Sequence, residues 1–187
     1  MSEHQNETTL TLVRSELIYE WFGLRLVRDE VEGLDGERFE YTYVDHPGSV
    51  IVVPRLVSGE YVLVEQYRYP IRQRSLEFPA GAYDTAERAA ETARRELLEE
   101  TSLHAGELHE LGRIAPSNGF CSEWMIVFLA DGLTGTPDPH TITTARERHT
   151  VTAVGELRMI DYIRDGRITD GATLAALTLL FVAKGQR

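Results

Sequence analysis

Glu96, Glu99 and Glu100 put three carboxylates within five residues of a stretch with helical composition, and Gly81 stands ahead of it. At about 100° per residue, Glu99 falls about 60° to one side of Glu96 and Glu100 about 40° to the other, so the three share an arc of roughly 100°. Like charges that close repel. An acidic helix face of this kind is either a solvated surface or a group gathered around something positive, and a hard divalent cation such as Mg²⁺ or Mn²⁺ takes oxygen ligands of this type.

Such a cluster needs a helix anchored on its other face. Ala86, Ala89, Ala90, Ala93 and Leu97 recur at helical spacing and predict a small, close-packing stripe. Asp84 or Thr85 is expected to cap the first turn, and Gly106 to help end the helix. Before it, Ser49 to Leu56 and Tyr61 to Tyr67 are apolar strand patterns joined by a Ser58-Gly59-Glu60 turn, as central strands of a core would be. After it, Leu108 to Ile114, Trp124 to Leu129 and Thr150 to Val154 read as strands, and Leu157 to Arg164 and Ala172 to Ala183 as helices around an Asp165-Gly166 turn. The segment from Thr9 to Asp45 holds β-prone runs, including Leu24 to Val31 and Phe39 to Val44, with a turn at Leu34 to Glu37. It reads as a small antiparallel sheet. The expected organisation is a polar tail at 1–8, an N-terminal sheet at 9–46 and a main domain at 47–187, of α+β class with helices on a mixed sheet.

The chain has 187 residues, 42% of them hydrophobic, enough to bury a core of ordinary size. Its net charge of −11 repels nucleic acid and anionic membrane surfaces, so an anionic substrate would need local cations. Cys121 is the sole cysteine, which rules out an intrachain disulfide and suits a reducing compartment, the cytoplasm. No apolar run approaches membrane-spanning length.

The spacing from Gly81 through Glu87 to Arg95-Glu96-Leu97-Leu98-Glu99-Glu100-Thr101-Ser102-Leu103 resembles the Nudix box of nucleoside-diphosphate hydrolases, over all 23 positions with one departure. Ser102 stands where the family has glycine. The resemblance implies a Nudix fold, an α/β/α sandwich with a mixed central sheet, and a divalent cation held by Glu96, Glu99, Glu100 and the Ala80 carbonyl. It also implies an Arg95–Glu87 ion pair bracing the loop. The chemistry fits pyrophosphate hydrolysis, because a divalent ion offsets phosphate charge and acidifies the attacking water.

Outside the box, His46 to Val50, Glu65 to Pro70, Leu76 to Gly81 and Asp165 to Asp170 are similar to the corresponding segments of ADP-ribose pyrophosphatases. By that resemblance Arg68 contacts substrate phosphate, and Ser117 to Glu123, with Gly119 in it, is the substrate loop, where Glu123 accepts from ribose hydroxyls. Asn118 replaces the loop's usual proline, so other nucleoside-diphosphate sugars such as GDP-mannose stay open. The acidic loop that supplies a mobile catalytic glutamate is reduced here to Glu147, between Arg146 and Arg148, with a helix glutamate or His149 as alternative bases. The N-terminal sheet is expected to swap onto a second subunit of a homodimer, with Trp21 the leading aromatic to stack on the base. The expected activity is Mg²⁺-dependent hydrolysis of ADP-ribose or a related nucleoside-diphosphate sugar. A dinucleoside polyphosphate hydrolase or a non-hydrolysing ADP-ribose sensor are the alternatives.

Overall fold

The computed structural model describes residues 10–83, 88–138, 140–144 and 147–185, with the backbone alone for 140–144 and 147–149. The chain forms two units: one runs to Pro47 and recruits Ser117–Glu123, and the other comprises Gly48–Pro116 and the chain from Trp124.

The N-terminal unit is an antiparallel meander of β1 (Leu10–Trp21), β2 (Leu24–Gly33) and β3 (Arg38–Asp45). The first connection turns on Phe22 and Gly23 with φ of 46° and 78°, the left-handed pair that a tight hairpin needs. In the second, Asp35 accepts from the Glu37 N–H at 3.1 Å, an Asx turn in the segment where the sequence predicts one. Strand alternation buries Val27 and Val31 on one face. The recruited segment lies beside β3, where Val44 N–H donates to Phe120 O at 2.8 Å and Ser122 N–H to Val44 O at 2.9 Å. Along the outer strand β1, Leu12, Leu17, Tyr19 and Trp21 are more than half exposed.

The larger unit contains β4 (Ser49–Pro54), β5 (Tyr61–Arg68), β6 (Gln73–Glu77), β7 (Ala80–Ala82), α1 (Ala89–Thr101), β8 (Leu103–His104), β9 (Glu107–Ile114), β10 (Met125–Asp131), β11 (Thr134–Gly135), β12 (His140–Thr144), β13 (Glu147–Val154), α2 (Glu156–Arg164) and α3 (Gly171–Gly185). One sheet has the order β7-β4-β10-β9, with β4 and β10 parallel and the other pairs antiparallel; the second is β12-β13-β5-β6, and β8 pairs with β11. Both four-stranded sheets are sandwiched. Val50, Val52, Val62, Val64, Phe128 and Ala130 point to the side where Ala93 and Leu97 of α1 pack. Their strand neighbours Ile51, Val53, Leu63, Val127 and Leu129 point the other way, onto Met159 of α2 and Ala176 and Leu180 of α3. The α/β/α layering follows from a near-continuous apolar run in each central strand.

Several local expectations are corrected. Helix α1 starts at Ala89, where the Arg88 N–H donates to Glu91. The expected caps Asp84 and Thr85, and Ala86, lie outside the described residues. Of the expected stripe Ala93 and Leu97 are buried, Ala90 is exposed, and Thr92 fills the buried position in its place. Strand β13 begins at Glu147 and not at Thr150, because β12 pairs with it as a hairpin. Strands β6, β7 and β12 have too few alternating apolar residues to be read from sequence.

Ser102 closes α1 in the left-handed conformation, φ 62° and ψ 21°, with its N–H on Leu98 O. A Cβ there costs about 1–2 kcal/mol, of which glycine would recover part after its own backbone entropy. Ser102→Gly is therefore expected to stabilise the protein by about 0.5–1 kcal/mol and raise Tm by roughly 1–3 °C. An unchanged or lower Tm in a thermal melt would show that this turn is unstrained.

Candidate active site

The site is assembled at one end of the larger unit from β5, β6, β7 and α1. In β5 the alternation that sends Val62 and Val64 toward α1 sends Gln66 and Arg68 to the same side. Val64 pairs with Glu77 of β6, so Glu77 shares that face. The face thus changes from apolar to charged along the strands. Glu77 is 3% exposed. Its carboxylate accepts from Arg68 Nε at 3.0 and 3.1 Å, from the Arg68 Nη2 group, and from Gln66 Nε2 at 3.0 Å. Burial works against the charge on Arg68, but Glu77, with Asp170 and Glu100 farther off, more than offsets this and holds the guanidinium above its ordinary pKa. Asp170 is itself fixed at the start of α3, where it accepts from the Thr173 N–H at 2.7 Å.

Gly81 allows the helix carboxylates to reach the backbone of β7. A Cβ at Gly81 would lie 2.0 Å from Glu96 Oε1, so no other residue fits beneath Glu96 as it stands. Glu100 lies next to this point: it is 8% exposed and hydrogen-bonded by the Ala80 backbone N–H. Burial first, and then the Glu96 charge, push its carboxyl up to about 8, against the lowering effects of Ala80 and Arg68. Arg95 Nη1 donates to Glu96 at 2.6 Å and to Glu99 at 3.3 Å, and its Nη2 to Ala82 O at 3.4 Å. Glu99 remains half exposed.

Of the sequence-derived metal ligands, Ala80, Glu96 and Glu100 are therefore drawn together around β7, whereas Glu99 lies outward against Arg95. Among the described residues no three His, Cys, Asp or Glu side chains converge as a finished cage. The donor set nevertheless fits a hard divalent ion. A buried carboxyl whose charge is opposed by a second carboxyl is relieved by an added cation, and the Gly81 cradle keeps that space clear of carbon. Glu87, the expected partner of Arg95, lies outside the described residues.

In the N-terminal unit, Gly119 is exposed and Glu123 Oε1 lies 3.9 Å from His46 Nε2, both groups largely shielded from solvent. Trp21 is 54% exposed at the hairpin end and meets Phe22 edge-on at 5.1 Å. Glu147 belongs to β13 by its backbone; its side chain, and that of His149, lie outside the description, as do Ala145 and Arg146 entirely.

Sequence reasoning gave Glu77 no role. The signal was present, since Ser75-Leu76-Glu77-Phe78 places one carboxylate inside a buried strand, where it demands a cationic partner.

The model of the NUDIX domain matches residues 45–168. The chain belongs to the Nudix family of hydrolases. It is 36% identical over 143 residues to an ADP-ribose pyrophosphatase of Mycobacterium tuberculosis, covering 75% of this chain and 67% of that one. An ADP-ribose pyrophosphatase of Bacillus subtilis is 34% identical over 121 residues, 65% of each chain. A methanol dehydrogenase activator of Bacillus methanolicus is 30% identical over 171 residues, 90% of each. The fold is shared with a crystal structure of an ADP compounds hydrolase, with a TM-score of 0.80 over 95% of this chain and 96% of that one at 22% identity. Within this Nudix hydrolase, the box identified from sequence is the segment that forms the carboxylate cradle.

The raised Glu100 carboxyl has a consequence for stability. The folded protein keeps this proton up to about pH 8, while the unfolded chain loses it near 4.5. Folding is therefore favoured by this group at low pH, and that contribution is lost as pH rises from 4.5 to 8, on the order of 5 kcal/mol in all. Glu100→Gln should melt several degrees above the metal-free parent at pH 8.5, and the gap should close by pH 5. Parallel melts at the two pH values test this, and an equal gap at both would refute it.

Proposed function

We infer that this Nudix hydrolase cleaves the pyrophosphate of ADP-ribose or a related nucleoside-diphosphate sugar, releasing a nucleoside monophosphate and a sugar phosphate. The observation that carries the reading is the Gly81 cradle, where Glu96 and Glu100 crowd the β7 backbone beside a guanidinium already clamped by Glu77. The relatives named as ADP-ribose pyrophosphatases support the substrate class.

Glu96, Glu99, Glu100 and the Ala80 carbonyl would hold Mg²⁺ or Mn²⁺. When bound, such an ion supplies charge neutralisation at the pyrophosphate and lowers the pKa of water. The chain's own groups do the rest. Arg68 presents guanidinium N–H donors to a phosphate oxygen, and Glu77 and Gln66 keep it in one orientation before the substrate arrives. Glu123 accepts from a sugar hydroxyl on the loop that carries Gly119, and Trp21 offers an exposed ring to the base. Glu147 takes the proton of the attacking water.

The homodimer belongs to the same reading. The apolar residues exposed along β1, from Leu12 to Trp21, suit a swapped N-terminal sheet that covers them on a second subunit. A cytoplasmic location agrees with the single cysteine.

A second reading has its own support. The relative named a methanol dehydrogenase activator aligns over 90% of both chains, which supports a reading in which this protein acts on such a dehydrogenase, either through its hydrolysis or as a non-hydrolysing sensor of ADP-ribose. Adding the protein to a methanol dehydrogenase and following turnover, with Glu100→Gln as control, separates these. Activation that survives the substitution identifies a binding role.

For the leading reading, ADP-ribose with Mg²⁺ should yield AMP, and chelator should stop the reaction. GDP-mannose and a dinucleoside polyphosphate complete the panel, ranked by kcat/KM. Glu100→Gln should lower kcat at least about 100-fold. Arg68→Ala should raise KM about 10- to 100-fold, the worth of charge-assisted bonds to phosphate. Glu77→Gln should raise KM in the same direction by less. Undiminished hydrolysis in chelator would sink the proposed chemistry.

A further inference from the structure

Helix α3 begins against the strand that carries Glu77. Strand β6 is the last of its sheet, so the N–H groups on its outer edge need acceptors from another part of the chain. The Leu76 N–H donates to Arg167 O at 3.0 Å, and the Phe78 N–H donates to Thr173 Oγ1 at 3.1 Å. These two donors bracket Glu77. On the inner edge Glu77 pairs with Val64, so the backbone that aims its carboxylate at Arg68 is held from both sides.

Thr173 is fully buried, and its own N–H donates to Asp170 Oδ2 at 2.7 Å. Its hydroxyl is thereby fixed to the first turn of a helix whose Ala176, Leu177 and Leu180 are packed into the core. The same turn brings Asp170 close enough to Arg68 to help hold the guanidinium charged. The start of α3 thus meets the clamp twice.

Beyond Glu77 the chain passes from one four-stranded sheet to the other in two residues, Phe78 and Pro79. Proline has no N–H, so Phe78 carries the one backbone donor of the crossing. Pro79 O accepts from the Val52 N–H at 2.9 Å, and Ala80 pairs with Ile51 of the same strand, β4. Glu77 is tied to β5, and Pro79 and Ala80 to β4; Thr173 holds the joint between them. A valine at 173 would fill the same space and leave the donor of Phe78, a residue 1% exposed, without its acceptor.

We propose that Thr173 is a positioning residue of the active site, whose hydroxyl, through the Phe78 N–H, sets the Glu77–Arg68 clamp in fixed relation to the Ala80 backbone. Its effect on turnover rests on the hydrolase reading above, in which Arg68 binds phosphate and Ala80 a divalent ion. Its hold on Arg68 does not.

Nuclear magnetic resonance of the isotopically labelled, ligand-free chain reads the clamp without any substrate. In the unaltered protein the Phe78 amide and the Arg68 Nε–H should both exchange slowly with solvent. A Phe78 amide that exchanges as fast as an open loop overturns the proposal before any variant is made. Thr173→Val keeps the shape and removes the acceptor, so the Arg68 Nε–H signal should move and its exchange quicken at least about ten-fold, whereas Thr173→Ser should leave it near the parent. With ADP-ribose, at a temperature where the variants are folded, Thr173→Val should lower kcat/KM about 10- to 100-fold through both KM and kcat, and Thr173→Ser should recover most of the loss. If Thr173→Val lowers Tm but leaves the Arg68 signal in place, the hydroxyl serves stability alone and the proposal is overturned. Unchanged kcat/KM in Thr173→Val, or a loss that Thr173→Ser does not restore, overturns it as well. If the unaltered chain hydrolyses nothing, the hydrolase reading falls and the Arg68 signal still decides the role of Thr173.

Discussion

The repulsion between Glu96 and Glu100 at the backbone of β7 is the constraint around which the larger unit is organised. Two carboxylates do not stay close together, one of them buried, unless something else fixes their scaffold. That fixing comes from the far side of α1. Ala93 and Leu97 are fully buried against the valines of β4 and β5, so the helix cannot roll to take its acids to water. Hydrophobic burial on one face thus holds an unfavourable electrostatic arrangement on the adjoining arc. A protein selected for stability alone would not keep this carboxyl buried and raised. Strain of this kind at one site, sustained by packing elsewhere, suits the role proposed for Glu100.

The same logic governs Arg68 and Glu77. Arg68 lies on a strand whose inward face is apolar a few residues earlier, at Val62 and Val64, and the two-residue period carries the side chains onward without change of direction. Where Val64 gives way to Gln66 and Arg68, the core becomes the site. Glu77 enters this polar end from the paired strand, and its burial makes the Arg68 contact obligatory. The pair therefore sets the rotamer of a flexible arginine before any anion is present. Without such a partner, a long side chain would lose conformational entropy on each binding event.

How much of this could be read in the residues depended on whether a feature is local. The Glu96-Glu99-Glu100 arc and the turn at Asp35 are set by neighbours in sequence, and each is visible as spacing or residue type, whereas the helix ends at Ser102 and not near Gly106. The layered fold was visible too, since unbroken apolar strands such as Ser49 to Pro54 need cover on both faces. The partnership of Glu77 with Arg68 depends on register across a hairpin whose turn contains the left-handed Arg72, and no local pattern announces that register. The strand β12 is hidden in the sequence for a related reason. His140–Thr144 has a single large apolar residue, Ile142, so its strand character comes from pairing with β13 and not from its own composition.

Glu99 shows where geometry on a helix wheel ceases to be sufficient. Its angle from Glu96 is no larger than a metal ligand requires, yet it lies half exposed while Glu100, on the other side, is buried. The difference is set by Arg95, which reaches Glu96, Glu99 and the Ala82 carbonyl and so occupies the side of the helix nearest Glu99. An arginine in that position shields the repulsion between Glu96 and Glu99 but leaves that between Glu96 and Glu100 in place. The Glu96–Glu100 pair is the one beside β7, where backbone oxygen is also available. Of the three carboxylates that first suggested a cation, the burden falls unequally, and Glu100 bears most of it because it alone is both buried and opposed by a like charge.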